Sequence, residues 1–138
     1  ELGDNTARLR EQIRSDELLR AALRAPTATV VVLGHTRWAS VGIISEPNAH
    51  PLCQEGRDAA DLPYVTAALN GDVDNYADLQ ALERLEFPAE ITTDAKVIPA
   101  LVARRLLIEA DAVEAFRATV ATLEGSVAIA VGTATSAA

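Results

Sequence analysis

The sequence predicts an α+β domain, on three observations. Apolar runs at residues 28–33, 64–69 and 126–131 have the length and composition of buried strands. Other stretches repeat apolar residues at every third or fourth position, the period of a helix with one buried face. The chain has 138 residues, 49% of them apolar, which suffices for one core and one domain.

The elements follow in order. Residues 4–24 are rich in Ala, Leu, Arg and Glu, with Leu9 and Ile13 on one stripe and Leu19, Ala22 and Leu23 on a second. The stripe shifts near Ser15, which can cap a new helix with Asp16 and Glu17 in its first turn, so two short helices compete with one long one. Pro26 ends this part, and Ala28 to Leu33 is expected to be the first strand, fully buried. Residues 43–63, with Pro47, Pro51, Gly56 and Pro63, read as a long loop. Tyr64 to Leu69 is a second strand, stopped by a turn at Asn70-Gly71. Tyr76, Leu79 and Leu82 mark a helix near 75–85, and Phe87 to Ile91 is a short strand. Thr93 caps a helix running to about Glu109, in which Pro99 should cost one backbone hydrogen bond. Asp111 with Glu114 opens a further helix that puts Val113, Phe116, Val120 and Leu123 on one face and ends at Gly125. Ser126 to Val131 is the last buried strand. The expected organisation is a helical segment at 1–25, read as an insertion, a main domain at 26–132 and a frayed tail at 133–138, with no internal repeat.

Charge and composition exclude several classes. A net charge of −8, from 12 Lys and Arg against 20 acidic residues, argues against a surface that tracks nucleic-acid phosphates. No apolar run approaches the roughly 20 residues of a membrane span, and the charged N-terminal stretch is unlike a signal peptide, so a cytoplasmic chain is expected. The single cysteine, Cys53, leaves no disulfide framework and no metal site built on several thiolates. The chain holds no methionine and starts at Glu1-Leu2-Gly3, which reads as a piece of a longer protein.

Polar clusters follow three of the apolar runs. Arg37 offers a planar fork for a carboxylate, and Asp94 at a helix start can accept from an ammonium, so together they fit an α-amino acid; two surface residues that never meet fit the spacing as well. Asn70 and Gly71 can supply a side-chain amide and a backbone N–H to a developing oxyanion, or simply form a turn. His35 and His50 lack a third ligand at metal spacing and read as structural hydrogen-bonding residues, so no metal and no cofactor are expected. Cys53 lies in a loop without an activating helix terminus, which argues against a nucleophile. Trp38 belongs either to the core or to a lid.

In order, Gly34-His-Thr-Arg-Trp-Ala-Ser-Val-Gly42, Glu46-Pro-Asn-Ala-His-Pro51, Asn70-Gly71 with Asn75, and Thr92-Thr-Asp94 resemble the glutaminase domain of class II glutamine amidotransferases. The branch they resemble most is that of the glutamine–fructose-6-phosphate aminotransferases, over about residues 28–132. The resemblance implies an N-terminal-nucleophile fold, an αββα sandwich of stacked antiparallel sheets between helical layers, here as a partial domain. It implies hydrolysis of glutamine to glutamate and delivery of ammonia to a sugar phosphate, in amino-sugar biosynthesis. By the same resemblance Arg37, helped by Ser40, holds the glutamine α-carboxylate, and Asp94 holds the α-ammonium. Asn70 and the Gly71 N–H form the oxyanion hole, His50 shapes the pocket, and the loop with Trp38 closes over it. A sugar isomerase domain in the parent chain is implied, and a homodimer is left open.

The chain also departs from that pattern. The family's nucleophile is a cysteine at the mature N-terminus, and no Cys-Gly-Ile start is present, so this chain alone is expected to be inactive. Val41 and Leu69 stand where a histidine is usual, and Lys96 where a glutamate is usual. Two readings remain at this stage: a glutaminase fragment of an amidotransferase, and a non-catalytic module of that type which binds an amino acid or a partner protein.

Overall fold

The computed structural model describes residues 4–36, 40–54, 61–109 and 111–134. It divides into two compact units, Glu1–Val32 and Leu33–Ala138.

The first unit holds two helices, α1 (Asn5–Ser15) and α2 (Glu17–Leu23). Asp4 caps α1 by accepting from the Ala7 N–H at 2.9 Å. The helices are separate because Asp16 adopts an extended conformation and accepts from the Leu19 N–H at 2.8 Å. The cap is therefore Asp16; the Ser15 hydroxyl turns back to the Gln12 carbonyl at 3.2 Å. No residue of either helix is buried, and Leu9, Ile13, Leu18 and Leu23 are exposed.

The strand expected at 28–33 does not form. These residues have no regular structure, and Val31 and Val32 are 86% and 85% exposed. A valine run fits a pleated surface, yet a strand exists only where a neighbour takes its backbone hydrogen bonds, and no described strand pairs with this one.

The second unit is α+β. Its sheet has three antiparallel strands in the order β1 (Leu52–Cys53), β2 (Val65–Val73), β3 (Gly125–Thr133). Leu52 faces Ala67 across the first pair, and the second runs without a break from Val65 opposite Thr133 to Val73 opposite Gly125. The loop expected at 43–63 thus contains a strand, and it also holds a 3₁₀ turn at Glu46–Asn48. Asn70-Gly71 does not end β2 but lies inside it. Gly71 has φ 128°, and a Cβ there would sit 1.8 Å from the Ser126 carbonyl oxygen. The glycine is needed because β3 passes so close, not because the chain reverses.

Strand alternation then sorts the side chains. Ala67, Leu69 and Val73 of β2 and Val127, Ile129 and Val131 of β3 face the core, together with Leu52, whereas Ser126, Ala128 and Ala130 point out and are exposed. The last strand is therefore half-buried, not fully buried. Helices α3 (Tyr76–Leu82), α4 (Val97–Leu106) and α5 (Ala112–Val120) complete the unit. The central one is α4, whose residues from Val97 to Ala103 are all buried. A 3₁₀ turn, Asp94–Lys96, precedes it, so Pro99 falls in the first turn of α4, where its missing N–H removes no α4 hydrogen bond.

Phe87 to Ile91 forms no strand: the Ile91 N–H closes a turn onto the Pro88 carbonyl at 3.0 Å. Asp111 caps α5 through the Val113 N–H at 2.7 Å, while Glu114 pairs with Arg117 at 2.7 Å. Val113 is 68% exposed, so the buried stripe of α5 rests on Ala115 and Thr119. Gly125 opens β3 with φ 123° instead of ending α5. A second stacked sheet is not among the described residues.

Candidate functional site

A cavity of about 310 Å³ opens where three segments of the second unit meet, lined by His35, Ser40, His50, Leu69 to Asp72, Thr93 and Asp94. Its floor is β2, and its wall is the turn that leads into α4. The third segment is fastened to that wall by Asn48, which is fully buried. The Asn48 Oδ1 accepts from the N–H groups of Thr92 at 2.8 Å and Thr93 at 2.9 Å. Its Nδ2 donates to the Ser45 hydroxyl at 2.8 Å and the Glu90 carbonyl at 3.0 Å. Gly42, with φ 83°, lets the chain pass so close that a Cβ would lie 2.9 Å from the Thr93 nitrogen. The Ile43 N–H donates to the Thr92 hydroxyl at 3.2 Å. The Glu46-Pro-Asn-Ala-His-Pro51 motif and the Thr92-Thr-Asp94 motif are thus parts of one hydrogen-bonded assembly.

His50 sits beside β2, where its Nδ1 lies 3.1 Å from the Leu69 carbonyl and 3.3 Å from the Leu69 N–H. Protonated Nδ1 donates to the first, and unprotonated Nδ1 accepts from the second. The His35 ring stacks on His50 with centroids 5.2 Å apart. Asp94 is 3% exposed, and its carboxylate accepts from the Val73 N–H at 2.7 Å and the Thr93 hydroxyl at 3.2 Å. Those bonds tie the wall to β2 and hold the carboxylate at the cavity. Asp72, half-buried on the floor, accepts a hydrogen bond from the Ser40 hydroxyl.

Of the residues singled out in the sequence, Ser40, His50, Asn70, Gly71 and Asp94 line this cavity, as does His35. Arg37 and Trp38 lie outside the described residues. Lys96 is not a lining residue: its ammonium sits 5.1 Å from the Phe87 ring centroid and donates to the Ile91 carbonyl at 3.2 Å. Burial pulls its pKa below the ordinary lysine value. Two contributors escaped the sequence reading, Asn48 and Asp72. An asparagine inside a Pro-bounded motif could have signalled the first, since a buried amide must be fully bonded. The period-2 spacing of Asp72 from Asn70 on one face of a strand could have signalled the second, had the strand not been ended at Leu69.

Cys53 is on β1 and does not line the cavity; its sulfur lies 3.4 Å from the Tyr64 hydroxyl. The Tyr64 phenol is raised above its ordinary pKa, first by that hydrogen bond and then by burial. A diazo-ketone analogue of glutamine is expected to leave Cys53 unmodified, as read by mass spectrometry. Stoichiometric labelling that glutamine prevents would show the opposite. Among the described residues, no group of three or more His, Cys, Asp or Glu side chains is arranged to hold a metal ion, and no helix is long and apolar enough to cross a membrane.

No protein-family model matches the chain. Curated proteins do. It is 34% identical over 126 residues to a glutamine–fructose-6-phosphate aminotransferase (isomerizing) of Mesorhizobium japonicum, covering 91% of this chain and 19% of that protein. It is 42% identical over 108 residues to the protein of the same name from Symbiobacterium thermophilum, covering 77% of this chain and 16% of the relative. For the Bacillus cereus protein of that name the identity is 35% over 115 residues, covering 80% and 18%. The chain thus spans less than a fifth of the length of these relatives.

Proposed function

From the similarity of most of this chain to glutamine–fructose-6-phosphate aminotransferases, we propose that it forms part of a glutaminase domain that hydrolyses glutamine and passes ammonia to a sugar-phosphate acceptor. The observation that carries the proposal is the convergence of Asn70, Gly71 and Asp94, from two separate segments, on one cavity with Ser40 and His50. In this reading Asp94 receives the α-ammonium of glutamine and Arg37 its α-carboxylate. Asn70 and the Gly71 N–H receive the oxyanion that forms when a thiolate adds to the side-chain amide carbon. Collapse of that adduct expels ammonia and leaves a thioester, which water hydrolyses to glutamate. By the family resemblance the thiolate is that of a cysteine at the mature N-terminus of the whole protein; Cys53, on β1 against Tyr64, is not assigned that part.

The finer fold goes with this reading. We assign the sheet to one of the two stacked sheets of an N-terminal-nucleophile sandwich, in which a second sheet covers the small outward side chains Ser126, Ala128 and Ala130, exposed here. A partner domain that isomerises the sugar phosphate belongs to the whole protein on the same reading.

Ammonia release tests it. The whole protein is expected to form glutamate and ammonia in equal amounts from L-glutamine, whereas the 138-residue chain alone binds L-glutamine without turnover. In the whole protein Arg37→Ala is expected to raise KM by about 10- to 100-fold with kcat little changed, because the α-carboxylate is held alike in ground and transition states. No ammonia from the folded whole protein would overturn the proposal.

A further inference from the structure

Two carboxylates face the cavity, and they are not equivalent. Both oxygens of Asp94 are already engaged, Oδ2 by the Val73 N–H at 2.7 Å and Oδ1 by the Thr93 hydroxyl at 3.2 Å. Asp72 has one bond, from the Ser40 hydroxyl to Oδ1, so among the described residues its Oδ2 has no donor. A serine has a single O–H, and once that proton is given to Asp72 the hydroxyl can offer a ligand only lone pairs. Asp72, Ser40 and Asp94 therefore form an acceptor-only group of side chains. Such a group suits an ammonium and opposes a carboxylate, and it conflicts with the part in α-carboxylate binding that the family resemblance gives to Ser40.

We propose that Asp72 is a specificity-determining residue of this site: with Ser40 turned onto it, its carboxylate joins Asp94 as a second counter-charge for the α-ammonium of the amino-acid ligand. This rests on the glutaminase reading and adds to it. Asp72 and Asn70 share one face of β2, roughly 7 Å apart along the strand. A ligand whose amide reaches Asn70 thus carries a neutral group there, whereas glutamate would bring a second carboxylate toward Asp72. The same residue that draws in the ammonium favours glutamine over its hydrolysis product.

Calorimetry on the full chain with three probes tests this: L-glutamine, L-glutamate and 4-carbamoylbutanoate, which is glutamine without its α-ammonium. Asp72→Asn keeps the size of the side chain and an oxygen for Ser40. It is expected to weaken L-glutamine about tenfold, to leave 4-carbamoylbutanoate unchanged or tighter, and to shrink the preference for glutamine over glutamate. Asp72→Glu should recover part of the L-glutamine affinity, and equal melting temperatures would show that both variants fold. If the unaltered chain binds L-glutamine and Asp72→Asn binds it equally well, the role of Asp72 is overturned and the glutaminase reading stands. Equal weakening of L-glutamine and 4-carbamoylbutanoate would make Asp72 a structural residue and also overturn its role. No binding of L-glutamine by the unaltered, folded protein would overturn both.

Discussion

Gly71→Ala is expected to lower stability by at least about 3 kcal/mol, seen as a fall in melting temperature of roughly 10 °C or more by circular dichroism. Two costs combine. The backbone at φ 128° is one that a side chain rarely tolerates, and the new Cβ would meet the Ser126 carbonyl oxygen at 1.8 Å. Relief requires β2 and β3 to part where Gly71 faces Val127, inside the nine-residue ladder. Gly34 is the control: a Cβ there meets nothing within 4 Å, so Gly34→Ala should shift stability by less than about 0.5 kcal/mol. Equal melting of the two variants would refute the close approach of the strands. Glutamine binding should fail together with folding in Gly71→Ala, because Asn70 and Asp72 flank the altered residue.

The same glycine shows what the sequence could and could not tell. Asn-Gly after an apolar run announces a backbone conformation that few residues adopt, and φ at Gly71 has that value. The dipeptide cannot say whether the conformation reverses the chain or lets a neighbouring strand come near, since the deciding atom is the Ser126 carbonyl, 55 residues away in sequence (71 to 126). Local signals succeeded where their cause was local. Asp111 caps α5 as its type and position suggest, and the helical spacing of Tyr76 and Leu79 matches α3. They failed where pairing decides, at residues 28–33, which read as a buried strand and are exposed from Ala28 to Val32, and at Leu52–Cys53, which read as loop and pair with β2. The clusters at the cavity were legible as residue types in order. The hydrogen bonds that bring those clusters together were not, because they join segments far apart in the chain, as from Asn48 to Thr92 and Thr93 or from Asp94 to Val73.

Asn48→Ala should have the next largest effect, about 3 kcal/mol or more, since one buried amide serves four separate partners. Removing it takes the shared acceptor from the Thr92 and Thr93 N–H groups and the donor from the Glu90 carbonyl, and an alanine supplies neither. The wall that carries Asp94 then keeps only the Ile43 N–H to Thr92 hydroxyl bond to the segment that carries His50, among the bonds described above, so L-glutamine affinity should fall with stability even though Asn48 does not line the cavity. Asn48→Asp separates the two halves of the amide. It retains an acceptor for the two N–H groups but sets a carboxylate oxygen against the Glu90 carbonyl, where Nδ2 now donates at 3.0 Å. That carboxyl is favoured in its protonated form, which can donate as the amide does, so its pKa in the folded protein should lie above the ordinary aspartate value of about 3.9. A carboxyl with a raised folded-state pKa binds more protons folded than unfolded, and stability falls as pH climbs past the unfolded value. The melting-temperature deficit of Asn48→Asp relative to the unaltered chain should therefore be small near pH 4 and widen toward neutrality, while that of Asn48→Ala stays level. A deficit for Asn48→Asp that does not change with pH would mean that the amide does not donate to the Glu90 carbonyl, and the assembly around Thr92 and Thr93 would have to be redrawn.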